Sequence, residues 1–71
     1  MVNTAKLKGK IVENGFTIQT LSDKLNIDRS TLYRKFDEPN RFTIADVNAL
    51  VDILHLSADD ALLIFFDQFV A

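Results

Sequence analysis

The chain has 71 residues, a net charge of −2 and no cysteine. A chain of this length builds one small core, so we expect a single domain over residues 1–71, with no separate catalytic or ligand-binding domain. The lack of cysteine excludes disulfide bonds and thiolate metal sites. The polar N-terminal residues show no apolar run typical of a signal peptide or a membrane span, so we expect a protein of the reducing cytoplasm.

The basic residues are confined to one part of the sequence. All eight lie in residues 1–41, which also hold five acidic residues and so carry a net charge of +3. Residues 42–71 hold five acidic residues and no basic one, a net charge of −5. The small net charge of the whole chain is therefore the sum of two halves whose net charges are opposite in sign. The first half can face phosphate, and the second cannot.

The first helix is predicted to begin at Thr4, whose hydroxyl can accept a hydrogen bond from a free amide of the first turn. Apolar residues then recur at helical spacing and are expected to face the core: Leu7, Ile11 and Val12. Asn14 and Gly15 end the helix, because glycine readily adopts the left-handed conformation that closes a helix.

Residues 17–36 predict two short helices joined by a three-residue turn, which is a helix-turn-helix pattern. Thr17 is a suitable N-cap for the second helix. One side of that helix is expected to face the core: Ile18, Leu21, Ser22 and Leu25. Asn26 suits the corner after it, since asparagine tolerates a positive φ.

The third helix is predicted to start after Asp28, which we expect to act as its N-cap. Ile27 fills the inside of the turn that precedes it. Leu32 and Phe36 lie four residues apart, so they face the same side of the helix and anchor it to the core. Pro39 then stops the helix.

Two more helices are predicted from capping signals. Thr43 with Asp46 resembles a capping box, and Ser57 with Asp60 repeats the signal. The helix after Thr43 carries a stripe expected to face the core: Ile44, Val47, Leu50, Val51 and Leu54. The pattern as a whole predicts an all-α fold, a compact bundle of about five short helices.

The outer surface of the third helix carries side chains suited to reading DNA. Arg29 and Arg34 have planar forks that match guanine O6 and N7, and Ser30 can bond to several base edges. Tyr33 offers a ring for a thymine methyl group or a hydroxyl for phosphate. The DNA backbone is expected to contact small polar and basic residues around this helix: Thr17, Gln19, Thr31, Lys35, Asn40 and Arg41.

The whole chain resembles the phage repressor and Cro family, also called the xenobiotic-response-element-type helix-turn-helix family, in its small prophage-encoded members. The resemblance is carried by a core pattern in the helix-turn-helix and by the later apolar positions: Leu21, Ser22, Leu25, Ile27, Leu32, Phe42, Ile44, Leu54, Leu56 and Ile64. The chain departs from the family at Ile18, Ser22 and Asn26, where Gln, Ala and Gly are common. The change at Ile18 leaves Gln19 as a displaced substitute. The resemblance implies a lambda-repressor-like DNA-binding domain that represses transcription as a dimer.

The last segment, residues 57–71, holds more apolar positions than one face of a helix can bury. Two interpretations are open: a final helix or tail that covers its own core, or a two-fold dimer contact, which we favour. The candidates for that contact are the last aromatic and aliphatic residues: Phe65, Phe66, Phe69 and Val70.

The sequence offers no basis for catalysis or for a metal site. His55 is the only histidine, with no second ligand at suitable spacing, and nothing places a nucleophile beside a base. We therefore expect no enzyme activity, no cofactor and no small-molecule ligand.

We interpret the chain as a sequence-specific regulator that binds double-stranded operator DNA, a Cro-like repressor acting in the cytoplasm of a bacterial host without membrane contact. Two copies are expected to join as a homodimer on DNA. The alternative is a protein-interaction module of the same shape, an anti-repressor or polymerase-binding protein that uses its acidic, aromatic C-terminal half.

Overall fold

Within residues 2–66, five α-helices follow one another: α1 (Thr4–Glu13), α2 (Ile18–Leu25), α3 (Arg29–Asp37), α4 (Ile44–Ile53) and α5 (Ala58–Phe65). A short 3-10 turn, Pro39–Arg41, lies between α3 and α4. The computed structural model describes residues 2–66, and its radius of gyration of 11.2 Å matches the value of about 11 Å expected for a compact chain of this length. The prediction of an all-α fold with five short helices is confirmed.

Side-chain caps set where the helices begin. Asn3 caps α1 by accepting a hydrogen bond from the Lys6 amide at 3.1 Å, so the prediction of Thr4 as the cap is wrong by one residue. Thr17 caps α2 as predicted, in a reciprocal capping box with Thr20. The analogous box that begins α4, between the residues Thr43 and Asp46, is also confirmed.

The remaining two caps differ from the prediction. Asp28 stands at the N-cap position of α3, but its carboxylate makes no capping hydrogen bond. Ser57 does cap α5, by accepting from the Asp60 amide at 3.1 Å. The Asp60 side chain does not complete a capping box there, because its carboxylate lies 3.1 Å from the ammonium of Lys10.

Left-handed backbone conformations occur at the helix ends. Gly15 follows α1 with φ 80°, and Asn26 follows α2 with φ 60°, as their residue types predicted. His55, after α4, also has a positive φ, of 50°. The α2–α3 connection is therefore a tight turn of three residues, 26–28, which keeps the two helices in contact.

The core gathers one face of each helix, and its buried apolar members are Leu7, Ile11, Leu21, Leu32, Phe36, Leu50, Leu54, Leu56, Ile64 and Phe65. Two predicted core residues are instead exposed, Val12 by 73% and Ile44 by 68%. Val12 is rotated by one helical step from Ile11, which takes the core position together with Leu7. Ile44 is the first residue of α4, and the buried stripe of that helix starts only one turn later, at Val47.

Polar contacts hold two pairs of helices against each other. The Asn3 amide donates to the Ile64 carbonyl at 2.6 Å and the Lys10 ammonium pairs with Asp60, so α1 and α5 run side by side in opposite directions. The Lys35 ammonium lies 2.7 Å from Asp46 and joins the end of α3 to the start of α4. These contacts leave the outer face of α3 uncovered. No helix in residues 2–66 has the length and apolar character needed to span a membrane.

Candidate nucleic-acid interface

The outer face of α3 presents the four side chains predicted to contact bases. Arg29, Ser30, Tyr33 and Arg34 are all exposed, and Tyr33 keeps 52% of its accessible surface. Arg29 and Tyr33 lie four residues apart, as do Ser30 and Arg34, so the four form two adjacent rows on one side of the helix. The opposite side carries the buried Leu32, which holds the helix on the core.

An open cleft of about 780 Å³ runs between α2 and the first turns of α3. Its lining brings together three of the four predicted base-contacting residues with one predicted backbone-contacting residue: Arg29, Ser30, Tyr33 and Gln19. Arg34 lies outside this cleft, farther along the same face of α3. The arrangement places the side chains of α3 that are nearest its N-terminus beside the exposed side of α2.

Two carboxylates in the cleft were not among the predicted site residues. The Asp23 carboxylate accepts a hydrogen bond from the side-chain amide nitrogen of Gln19 at 3.0 Å. Asp28 lines the cleft beside Arg29. A carboxylate repels phosphate but accepts a hydrogen bond from the amino group of cytosine. The cleft therefore suits base edges better than it suits the DNA backbone. The i,i+4 spacing of Gln19 and Asp23 in the sequence was a signal for this contact.

The arginines of α3 and the other basic candidates differ in their ion pairing. Within residues 2–66, Arg29 and Arg34 take part in no ion pair. Lys35, by contrast, pairs with Asp46 and also donates to the Arg41 carbonyl at 3.4 Å. The Arg41 side chain in turn donates to Glu38. The two arginines of α3 are thus available to a ligand without first breaking an ion pair within the described part of the chain.

The other predicted backbone contacts lie on both sides of α3. The Thr17 and Gln19 side chains are exposed at the start of α2, although the Thr17 hydroxyl is engaged in its capping box. Thr31 is half-buried, and it lines a second depression beside the α2–α3 turn. Asn40 is exposed in the 3-10 turn that follows α3. Of these four residues Gln19 lines the cleft, whereas Thr17, Thr31 and Asn40 lie outside it.

Ion pairing shifts three pKa values, all in the directions that favour the charged forms. Partial burial raises the pKa of Asp46, but hydrogen bonds from Lys35 and from the Thr43 amide outweigh it, so the pKa lies below its ordinary value. The hydrogen bond between Lys10 and Asp60 raises the pKa of the lysine and lowers that of the aspartate. None of these groups lines the cleft.

The predicted dimer contact divides between the core and the surface. Phe65 is 6% exposed, and its ring packs edge-on against Phe42 at a centroid distance of 6.3 Å, so the structure places it in the core rather than at an interface. Phe66, the C-cap residue that follows α5, is 36% exposed. Phe69 and Val70 lie outside the described residues.

The cleft offers hydrogen-bond donors and acceptors. No group of three histidine, cysteine or carboxylate side chains in residues 2–66 is placed to hold a metal ion. Comparisons of the chain with protein families, with curated proteins and with solved structures find no match. The chain's own residues therefore carry the functional inference.

Proposed function

We propose that the chain is a sequence-specific regulator of transcription that binds double-stranded DNA and reads the major groove with α3. The observation that carries this proposal is the exposed face of α3, on which Arg29 and Arg34 have no ion-pair partner among residues 2–66. An arginine fork left free of carboxylates matches the two acceptors of guanine. The major groove, about 12 Å wide, admits one α-helix.

Each side chain of the α3 face has a defined role in this proposal. Arg29 and Arg34 bind guanine through paired hydrogen bonds, and each good pair contributes about 1–3 kcal/mol of discrimination against the wrong base. Ser30 lies between them and bonds to a neighbouring base edge. Tyr33 packs its ring against a thymine methyl group. Asp23 and Asp28, which line the same cleft, favour a cytosine amino group there.

Contacts to phosphate set the position of α3 in the groove. Thr17 and Gln19 stand at the N-terminal end of α2, where backbone amides also face outward, and Asn40 follows α3. Lys35 and Arg41 reach phosphate only by exchanging their bonds to Asp46 and Glu38. We assign them a smaller part in binding than the sequence alone suggested.

The resemblance to the phage repressor and Cro family supplies the biological setting of the proposal. Occupation of an operator by this chain would repress the adjoining promoter in the cytoplasm of a bacterial host. Two copies on half-sites about 34–36 Å apart would bind more tightly than one copy alone. Phe66 is the only predicted dimer contact that lies exposed within the described residues.

Selection from a pool of random duplex DNA tests the proposal, because it needs no operator sequence to be chosen in advance. Rounds of binding to the folded wild-type chain should enrich one sequence family containing guanines at fixed positions. The Arg29→Ala/Arg34→Ala variant, verified as helical by circular dichroism, should enrich none. A wild-type pool that stays random after selection would contradict the proposal.

A second candidate function is favoured by one observation. Leu62, Leu63 and Phe66 are exposed on α5, and the acidic Asp59 lies on the same side of that helix. A protein-interaction module, such as an anti-repressor or a polymerase-binding protein, would use this surface and would not need the arginines of α3. A pull-down of bacterial proteins that is abolished by Leu62→Glu and unaffected by Arg29→Ala/Arg34→Ala would favour it.

A further inference from the structure

An apolar groove lies on the side of α3 that faces α1. It has a volume of about 290 Å³, and its main lining residues come from α1, the start of α2 and α3: Lys8, Ile11, Val12, Phe16, Ile18 and Tyr33. Val12 is the most exposed large apolar side chain in residues 2–66. Since a cavity of about 150 Å³ holds a benzene-sized group, the groove has room for two apolar side chains.

One charged residue, Lys8, lines the groove. The Lys8 ammonium lies 5.3 Å from the centre of the Phe36 ring, at one side of the groove, and within residues 2–66 it belongs to no ion pair. An apolar groove lined by an ammonium that has no carboxylate partner within residues 2–66 suits a segment that carries apolar side chains next to a carboxylate.

The same chain carries a surface of this chemistry on α5. Asp59, Leu62, Leu63 and Phe66 are spaced three and four residues apart, so they share one side of the helix. Leu62 is 47% exposed, and Leu63 and Phe66 are each 36% exposed. Ile64 and Phe65, which lie between them in the sequence, are buried in the core. We call the four residues the α5 stripe.

We propose that the α5 stripe of one copy docks into the groove of a second copy, with Asp59 beside Lys8 and two of the apolar side chains inside the groove. A two-fold contact of α5 against α5 would bring together two segments that have no basic residue, because residues 42–71 carry five acidic residues and no lysine or arginine. Docking of α5 into the groove instead joins the acidic half of one copy to the basic half of the other.

Such a contact is head-to-tail, because it uses two different surfaces of the same protein. Each added copy leaves one groove and one α5 stripe free, so the size of the assembly grows with protein concentration. Tyr33 lines both the groove and the cleft between α2 and α3. Where the proposed DNA-binding function holds, a copy whose groove is filled loses Tyr33 for DNA, and self-association lowers the concentration of active repressor.

Sedimentation velocity without DNA tests the contact itself, separately from any DNA binding. Val12→Glu places a carboxylate in the groove, and Leu62→Glu places one in the α5 stripe. Each variant should weaken self-association at least about tenfold, a change of about 1.4 kcal/mol. Ile44→Glu is the matched control, because Ile44 is also a highly exposed apolar residue and belongs to neither surface. It should associate like the wild type.

A mixture of the two variants distinguishes the head-to-tail contact from a two-fold contact of α5 against α5. The Val12→Glu chain keeps an intact α5 stripe and the Leu62→Glu chain keeps an intact groove, so the mixture should form complexes of one copy of each and nothing larger. An α5-against-α5 dimer gives the opposite pattern, in which Val12→Glu associates like the wild type and mixing restores nothing. That pattern, or a wild type that is monomeric at every concentration, would overturn the proposal.

Discussion

The Lys35 ammonium lies 2.7 Å from one carboxylate oxygen of Asp46, and the same oxygen accepts a hydrogen bond from the Thr43 amide at 2.9 Å. A single atom therefore links the last turn of α3 to the first turn of α4. Both side chains are mostly shielded from solvent, with 16% and 25% of their surface exposed. This link holds the end of α3 that carries Arg34 against the rest of the bundle.

Two substitutions of Asp46 should separate the stability due to its ion pair with Lys35 from the stability due to its capping bond with the Thr43 amide. In Asp46→Asn the amide oxygen can still accept from the Thr43 amide, so we expect a loss of about 0.5–1 kcal/mol in the free energy of unfolding, the range of a partly exposed ion pair. In Asp46→Ala the capping bond is lost as well, at a further cost of about 1 kcal/mol. Urea denaturation measures both changes. Asp52→Asn, an exposed substitution in the same helix, is the control and should be near neutral. Equal losses in all three variants would contradict this account of the link.

Acid should weaken the fold through the same carboxylate. Partial burial raises the pKa of Asp46, but Lys35 and the Thr43 amide lower it more, so the folded pKa lies below the ordinary value of 3.8. The unfolded chain then binds more protons in acid than the folded chain does. The stabilisation is present above pH 3.8 and is lost as the pH falls through the folded pKa. Urea midpoints over a pH series should fall less steeply for Asp46→Asn than for the wild type. Identical pH profiles would refute the shift.

The turn between α2 and α3 should depend on the conformational freedom of Asn26, which has a φ of 60°. Asn26→Gly removes the steric conflict of a side chain in this left-handed region and should leave stability unchanged or slightly raised. Asn26→Ala should cost about 1 kcal/mol, since alanine tolerates that region less well than asparagine. Thermal unfolding measures the difference. Asn48→Ala, in the exposed interior of α4, should not destabilise the protein, so a loss there equal to that of Asn26→Ala would contradict the explanation.

The two adjacent phenylalanines at the end of α5, Phe65 and the C-cap residue Phe66, should respond very differently to truncation. Phe65→Ala empties a core position that packs against Phe42, and we expect a loss of about 3–5 kcal/mol in the free energy of unfolding. Phe66→Ala removes a side chain that keeps 36% of its surface exposed, and we expect less than about 1 kcal/mol. Chemical denaturation of both variants measures the contrast. Similar losses would show that the assignment of core and surface on α5 is wrong.

Local signals in the sequence were enough to predict most of the fold. Thr17, Asn26 and Thr43 act within three or four residues of themselves, so their caps and turns followed from residue type alone. The errors at Val12 and Ile44 have another origin, because whether an apolar residue beside a core stripe is covered depends on which helix packs there. Helical spacing gives the direction in which a side chain points from the helix axis, but it does not show whether another helix packs on that side.

The candidate site was also predicted only in part, because some of its residues make contacts with other helices. Arg29, Ser30 and Tyr33 share a face of α3 by spacing alone, and the structure shows that face uncovered. Lys35 was predicted to contact the DNA backbone, but the structure pairs it with Asp46, which lies on another helix eleven residues away. Contacts between separate helices, which also include the pair of Lys10 with Asp60, depend on tertiary packing and have no local signature.

Fluorescence anisotropy on the selected duplex and on a scrambled duplex tests most directly whether the arginines of α3 read base sequence. Arg29→Ala/Arg34→Ala should remove about 2–6 kcal/mol of preference for the selected duplex if each arginine makes a bidentate base contact. The control Lys6→Ala/Lys24→Ala removes the same charge away from α3 and should weaken binding to both duplexes equally. If the arginine variant keeps the preference of the wild type, or if the two double variants behave alike, α3 does not read DNA.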